Sequence, residues 1–114
     1  MTVRIAVAST DGKYVNEHFG RAKQFLIFDV GAEDWRFVEL RQNTPSCGFE
    51  RAEETAPGHG HQGTVALLHD CRAVLVARIG PGAEQVLLSH GIRAYTIPDF
   101  IDEAIKKFSE ASQP

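Results

Sequence analysis

The sequence predicts one α/β domain built on a mixed five-stranded sheet flanked by helices, and three observations predict it. The chain opens on a short β-branched apolar segment that ends in a polar turn. Two further apolar runs follow at hairpin spacing. After a glycine-rich stretch, helical and strand-like patterns alternate to the end. With 114 residues and 43% hydrophobic side chains, there is material for one core rather than two.

Val3-Arg4-Ile5-Ala6-Val7-Ala8 stops at Ser9-Thr10-Asp11-Gly12, the pattern of a buried strand entering a loop. Phe25 to Val30 is a second apolar run. Arg36 to Leu40 alternates polar with apolar, and Gly31-Ala32-Glu33-Asp34 between the two predicts a hairpin. From Asn43 to Gly63 the character changes to four glycines, two prolines and few large apolar residues, so a long mobile loop is expected. Loops of that length inside compact domains are uncommon unless they bind something or are disordered. Gln62 to His69 then fits a short helix with Val65 and Leu68 on one side, followed by the strand Ala73 to Ala77. A helix from Ala83 to about His90 has Gly91 as its expected C-cap; Ile92 to Thr96 is a strand. The last helix, Asp99 to about Ala111, sets Phe100, Ile101, Ala104, Ile105 and Phe108 at helical spacing. Helical crossovers make the last two strands parallel to the first, while the hairpin pairs antiparallel on its other side. The expected strand order is 3-2-1-4-5, in a single domain covering residues 1–114.

The net charge of −3 gives no broad basic footprint for nucleic acid. No apolar run approaches the roughly 20 residues that span a bilayer, and the first residues lack a secretory pattern, so no membrane association and a cytoplasmic location are expected. The two cysteines, Cys47 and Cys71, occupy very different settings, which argues against a disulfide and for reduced thiols able to ligate soft metals.

Several residues carry candidate chemistry. His18 follows the first strand, where open α/β sheets bind ligands beyond their carboxyl ends, and Arg21 three residues later offsets negative charge. A lone loop histidine is otherwise an ordinary surface residue. Cys47, in a polar glycine-flanked loop, is a soft-metal ligand, a nucleophile or an incidental thiol. His59-Gly60-His61 supplies two imidazoles on a flexible backbone, although the spacing is not that of a zinc finger. Cys71, at a helix–strand junction, reads as buried. His69 and His90, near expected helix C-termini, read as structural. Ile79-Gly80-Pro81-Gly82-Ala83 joins a strand to a helix and can aim N–H groups of Gly80 and Gly82 at an anion, or simply set up the helix. No phosphate loop, dinucleotide fingerprint, nucleophile elbow or zinc-protease helix occurs, and a Cys47–His18 pair lacks an orienting partner.

Ile5-Ala6-Val7-Ala8-Ser9, Val15-Asn16-Glu17-His18-Phe19-Gly20-Arg21-Ala22 and Ile79-Gly80-Pro81-Gly82-Ala83 through Tyr95 resemble the dinitrogenase iron–molybdenum cofactor biosynthesis domain family over nearly the whole chain. The resemblance implies a ribonuclease-H-like fold and a cofactor that is a molybdenum- and/or iron-containing metal–sulfur cluster. It also implies cluster donor and acceptor proteins as partners. His18 falls on the family's histidine position, whereas Cys47, His59 and His61 match no family ligand set. Nuclease chemistry is not implied, because the first strand offers no mid-strand carboxylate. The additional domains of the large cofactor-synthesis members are not in this sequence. The expected role is therefore binding, storage or transfer of a cluster, as a carrier or assembly factor and not as an enzyme. The alternatives are a protein-interaction or regulatory domain without metal, and a small Cys47-dependent redox or hydrolytic enzyme. The sequence does not fix the oligomeric state.

Overall fold

The computed structural model describes residues 2–43 and 62–111. Five strands, β1 (Val3–Ala8), β2 (Gln24–Val30), β3 (Trp35–Gln42), β4 (Ala73–Val76) and β5 (Arg93–Thr96), form one sheet in the order β3-β2-β1-β4-β5. β2 runs antiparallel to both β1 and β3, and β1, β4 and β5 run parallel, as expected. The helices are α1 (Gln62–Leu67), α2 (Pro81–Ser89) and α3 (Ile101–Ala111).

Strand alternation divides the core. Ala6, Ala8, Phe25, Ile27, Val74 and Val76 face Val65 and Leu68 at α1 and Ala83 and Leu87 of α2. Ile5, Val7, Leu26, Phe28, Val30 and Leu75 face Ile101, Ala104, Ile105 and Phe108 of α3. β1 is thus covered on both sides, which is why its sequence is a nearly continuous apolar run. The small residues Ala6 and Ala8 leave room on one side for Phe19 and Phe25, whose rings stand 6.1 Å apart.

Local chemistry explains the boundaries. Pro81 takes the first helical position of α2 after Gly80, two residues before the expected start, because its missing N–H costs nothing there. Gly91, at φ +79°, ends the helix: its N–H donates to the Leu88 carbonyl and that of Ile92 to Leu87, the Schellman pattern. Phe100 departs from its expected place on the buried face of the last helix. It precedes α3, is 56% exposed and meets Tyr14 edge-on at 5.1 Å. The 13–15 strand-like segment draws this end of the chain toward itself, with Ile101 N–H donating to Lys13 O and Val15 N–H to Asp99 O.

At both margins of the stretch 43–63, where a mobile loop was expected, described residues are held in place. Asn43 is held by its own N–H to Lys23 O, its side-chain amide to Ala22 O and the Thr64 hydroxyl on its Oδ1, and Gln62 already begins α1. Residues 44–61 lie outside the described residues, as do Cys47, His59 and His61 within them.

An ion-pair network joins the hairpin, β1 and the α1–β4 turn. Arg41 grips Asp70 through both terminal nitrogens at 2.7 and 2.8 Å, and Arg4 reaches Asp29 at 2.9 Å and Asp70 at 3.2 Å. Hydrogen bonding from Arg41 holds the Asp70 carboxyl well below its ordinary 3.8, against an opposing contribution from burial. The stabilisation is therefore complete above pH 3.8 and is lost as the pH falls through the lower folded-state value. Asp70→Asn should cost about 1–2 kcal/mol at neutral pH, a figure kept low because the pair is partly solvated. Urea denaturation of both chains across pH should show the difference narrowing in acid. Equal midpoints at pH 7 would dismiss the network as a stabilising feature.

Candidate functional site

The chain leaving β1 is shaped by its own polar side chains. Asp11 Oδ1 accepts the N–H groups of Lys13 and Tyr14 at 2.9 and 3.1 Å and the Ser9 hydroxyl at 3.2 Å, and these bonds lower its pKa. Gly12 supplies the positive φ, +74°, that this turn requires. Thr10 and Asn16 exchange two hydrogen bonds that close the loop, and the buried Val15 anchors it.

The returning segment then pairs with the end of β4. Ala77 N–H donates to Glu17 O and Phe19 N–H to Arg78 O, both at 2.9 Å, making His18 and Arg78 partners in an isolated parallel bridge. Phe19, 1% exposed, fixes the segment in the core, and Phe19–Arg21 makes a single 3-10 turn whose closing bond runs from Arg21 N–H to His18 O. His18, an exposed residue, is thereby held beyond the carboxyl ends of β1 and β4. Parallel sheets bind ligands at this position.

His18, Gly20, Arg21, Arg78, Ile79 and Gly80 line an open cleft of about 310 Å³. Of the sequence-predicted residues, the structure brings together His18, Arg21 and Gly80. Gly82 lies in the first turn of α2 and does not line the cleft. Its N–H and that of Ala83 precede the first helical bond, from Glu84 N–H to Gly80 O, so neither has an intrahelical acceptor. A Cβ on Gly80 would meet nothing within 4 Å, so crowding by the protein is not what places a glycine there. Arg78 is the residue that sequence reasoning missed. Its signal was position: a cation two residues after a buried strand and two before the Gly-Pro-Gly turn.

Neither Arg21 nor Arg78 forms a salt bridge with another described residue, in contrast to Arg4, Arg36 and Arg41. Among the described residues, the cleft therefore combines two guanidinium groups that lack an acidic partner with one imidazole, a set suited to an anion that also offers a metal centre. Among the described residues, no group of three or more His, Cys, Asp or Glu side chains is gathered to hold a bare metal ion. No helix among them is long and apolar enough to cross a membrane.

Fold and cleft together define a small α/β domain whose strand ends carry a cleft lined, among the described residues, by two arginines and a histidine. The chain belongs to the dinitrogenase iron-molybdenum cofactor family, whose model matches residues 1–111. The FeMo cofactor biosynthesis protein NifB of Frankia alni is 36% identical over 104 residues, which cover 90% of this chain and 20% of that protein. Protein NifX of Sinorhizobium fredii is 31% identical over 124 residues, covering 98% of this chain and 74% of NifX. The chain thus spans about a fifth of the length of its NifB relatives. Among solved structures, PH0822 superposes with a TM-score of 0.67 at 28% identity, over 95% of this chain and 91% of that one. The apo form of the orange protein from Desulfovibrio gigas shares the fold, with a TM-score of 0.67 at 21% identity over 100% of this chain and 92% of that one.

Cys71 stands apart from the cleft, 3% exposed in the α1/α2 side of the core, as its sequence position suggested. Burial first, and then the neighbouring Asp70 carboxylate, push its thiol up to about 12. In the native chain at pH 8, iodoacetamide should label Cys71 on the order of a thousandfold more slowly than an ordinary thiol, with labelling restored in denaturant. Peptide mass mapping resolves it from Cys47. Rapid native labelling at Cys71 would contradict the burial.

Proposed function

We propose that this chain binds a preassembled, anionic metal–sulfur cluster containing molybdenum and/or iron, and acts as a carrier or assembly factor between donor and acceptor proteins. The observation that carries this reading is the pairing of His18 with Arg78 across the strand ends, beside Arg21, in a cleft whose cations lack acidic partners among the described residues. Membership of the cofactor family supports the choice of cargo.

In this reading His18 donates a ring nitrogen to one metal of the cargo. Arg21 and Arg78 hydrogen-bond and neutralise its sulfide face, and the N-terminal amides of α2 add positive potential. Cys47, His59 and His61 are candidate further ligands on chemistry alone. A cluster that brings its own sulfide shell needs few protein ligands, which matches the one imidazole and two guanidinium groups that the described residues bring to the cleft. The reading places the protein in the cytoplasm.

Anaerobic reconstitution with molybdenum, iron and sulfide, followed by elemental analysis and X-ray absorption, tests it. The parent chain should take up a cluster with a nitrogen ligand. His18→Ala should weaken uptake at least tenfold and remove that nitrogen. Arg21→Ala and Arg78→Ala should each weaken it several-fold at low salt and progressively less as salt screens them. Uptake by His18→Ala equal to that of the parent would remove His18 from the site.

A further inference from the structure

A second cavity lies where the chain leaves α1 and α2. Its volume is about 330 Å³, and Val65, Ala66, His69 and His90 line it. His69 Nδ1 is 3.0 Å from the Ala66 carbonyl oxygen, and His90 Nδ1 is 2.9 Å from that of Val86. A carbonyl only accepts, so each Nδ1 carries a proton and donates it. The neighbouring Ser89 hydroxyl agrees with this assignment for His90. It gives its own proton to Val86 O at 2.7 Å, leaving its oxygen to accept at 3.2 Å from His90 Nδ1.

In the neutral ring this tautomer puts the lone pair on Nε2. Both histidines therefore have the arrangement in which metal-ligating imidazoles are usually found, one nitrogen tied to a carbonyl and the other without a hydrogen-bond partner among the described residues. Each also sits just past the last helical residue, Leu67 or Ser89, where carbonyls lacking intrahelical donors concentrate partial negative charge. Among the described residues, no cationic side chain lines the cavity, and its other walls, Val65 and Ala66, offer no competing side-chain ligand.

We propose that His69 and His90 form a two-imidazole site for a borderline divalent transition-metal ion such as zinc. This site is separate from the cleft at His18 and does not depend on the cluster reading. Imidazole suits ions of this class, and two protein ligands leave the other coordination positions to water or to a ligand from a partner. Such a site loads and unloads readily.

Titrating the whole ¹⁵N-labelled chain with Zn²⁺, while following the imidazole nitrogens by NMR, tests the proposal. The Nε2 resonances of His69 and His90 should move along one shared isotherm. His69→Asn keeps a donor for the Ala66 carbonyl but removes the coordinating nitrogen. It should weaken the response of His90 at least tenfold, and His90→Asn should do the same to His69. The shared isotherm is read in the parent chain and needs no variant. Different midpoints for the two rings, no response at either, or a His90 response indifferent to His69→Asn would overturn the site.

Discussion

β1 is hydrogen-bonded along both edges and packed on both faces, and the remaining elements are placed by reference to it. On one edge, β2 pairs from Val3↔Val30 to Ala8↔Phe25 and carries the hairpin; on the other, Ile5↔Ala73 to Val7↔Leu75 fixes β4. Because side chains alternate across the strand, a slip of one residue would exchange Ile5 and Val7 with Ala6 and Ala8. It would drive large side chains into the space that Phe19 and Phe25 fill and leave voids under α3. The packing of Phe19 therefore links core to site: the same register that seats its ring sets His18 opposite Arg78.

The arginines divide by what surrounds them. Arg4 and Arg41 are matched by Asp29, Asp70 and Glu39, and their hydrogen bonds hold the guanidinium pKa values above the usual range. These pairs join elements distant in sequence, since Asp70 follows Arg4 by 66 positions and Arg41 by 29. Arg21 and Arg78 have no such match among the described residues and stand where two parallel strands end. In a chain of net charge −3, cleft cations without acidic partners among the described residues are informative, because overall charge supplies no reason for anion affinity.

The strand order was legible because apolar periodicity and connection length leave few arrangements of one hairpin and two helical crossovers. Helix margins were less so. The start of α2 at Pro81 was recoverable from proline's tolerance of the first helical position, but Phe100 was not recoverable from helical spacing. Its exposure follows from a bridge to Tyr14, 86 positions earlier in the chain, which no local pattern reports. In the site, His18 was marked by strand-end position and by family resemblance. Arg78 joined it only through a parallel bridge between segments 60 residues apart. Gly82 looked equivalent to Gly80 in sequence, yet helix onset at Pro81 turns one glycine into the cap that lines the cleft and the other into part of the first turn.

On the proposed reading, the composition of the cleft also bears on how firmly cargo is held. Clusters retained permanently are commonly bound by four cysteine thiolates, which complete the coordination of their irons and leave only by bond exchange at several centres. The described residues of this cleft contribute a single imidazole and two guanidinium groups. Guanidinium contacts at an open surface are screened by salt and individually weak, on the order of 1 kcal/mol net, and gain strength only by acting together on a multiply charged anion. As far as the described residues hold the cargo, a partner presenting thiolates can then compete for it by displacing one nitrogen ligand and a set of screened contacts. That balance suits a protein that passes a cluster onward better than one that keeps it.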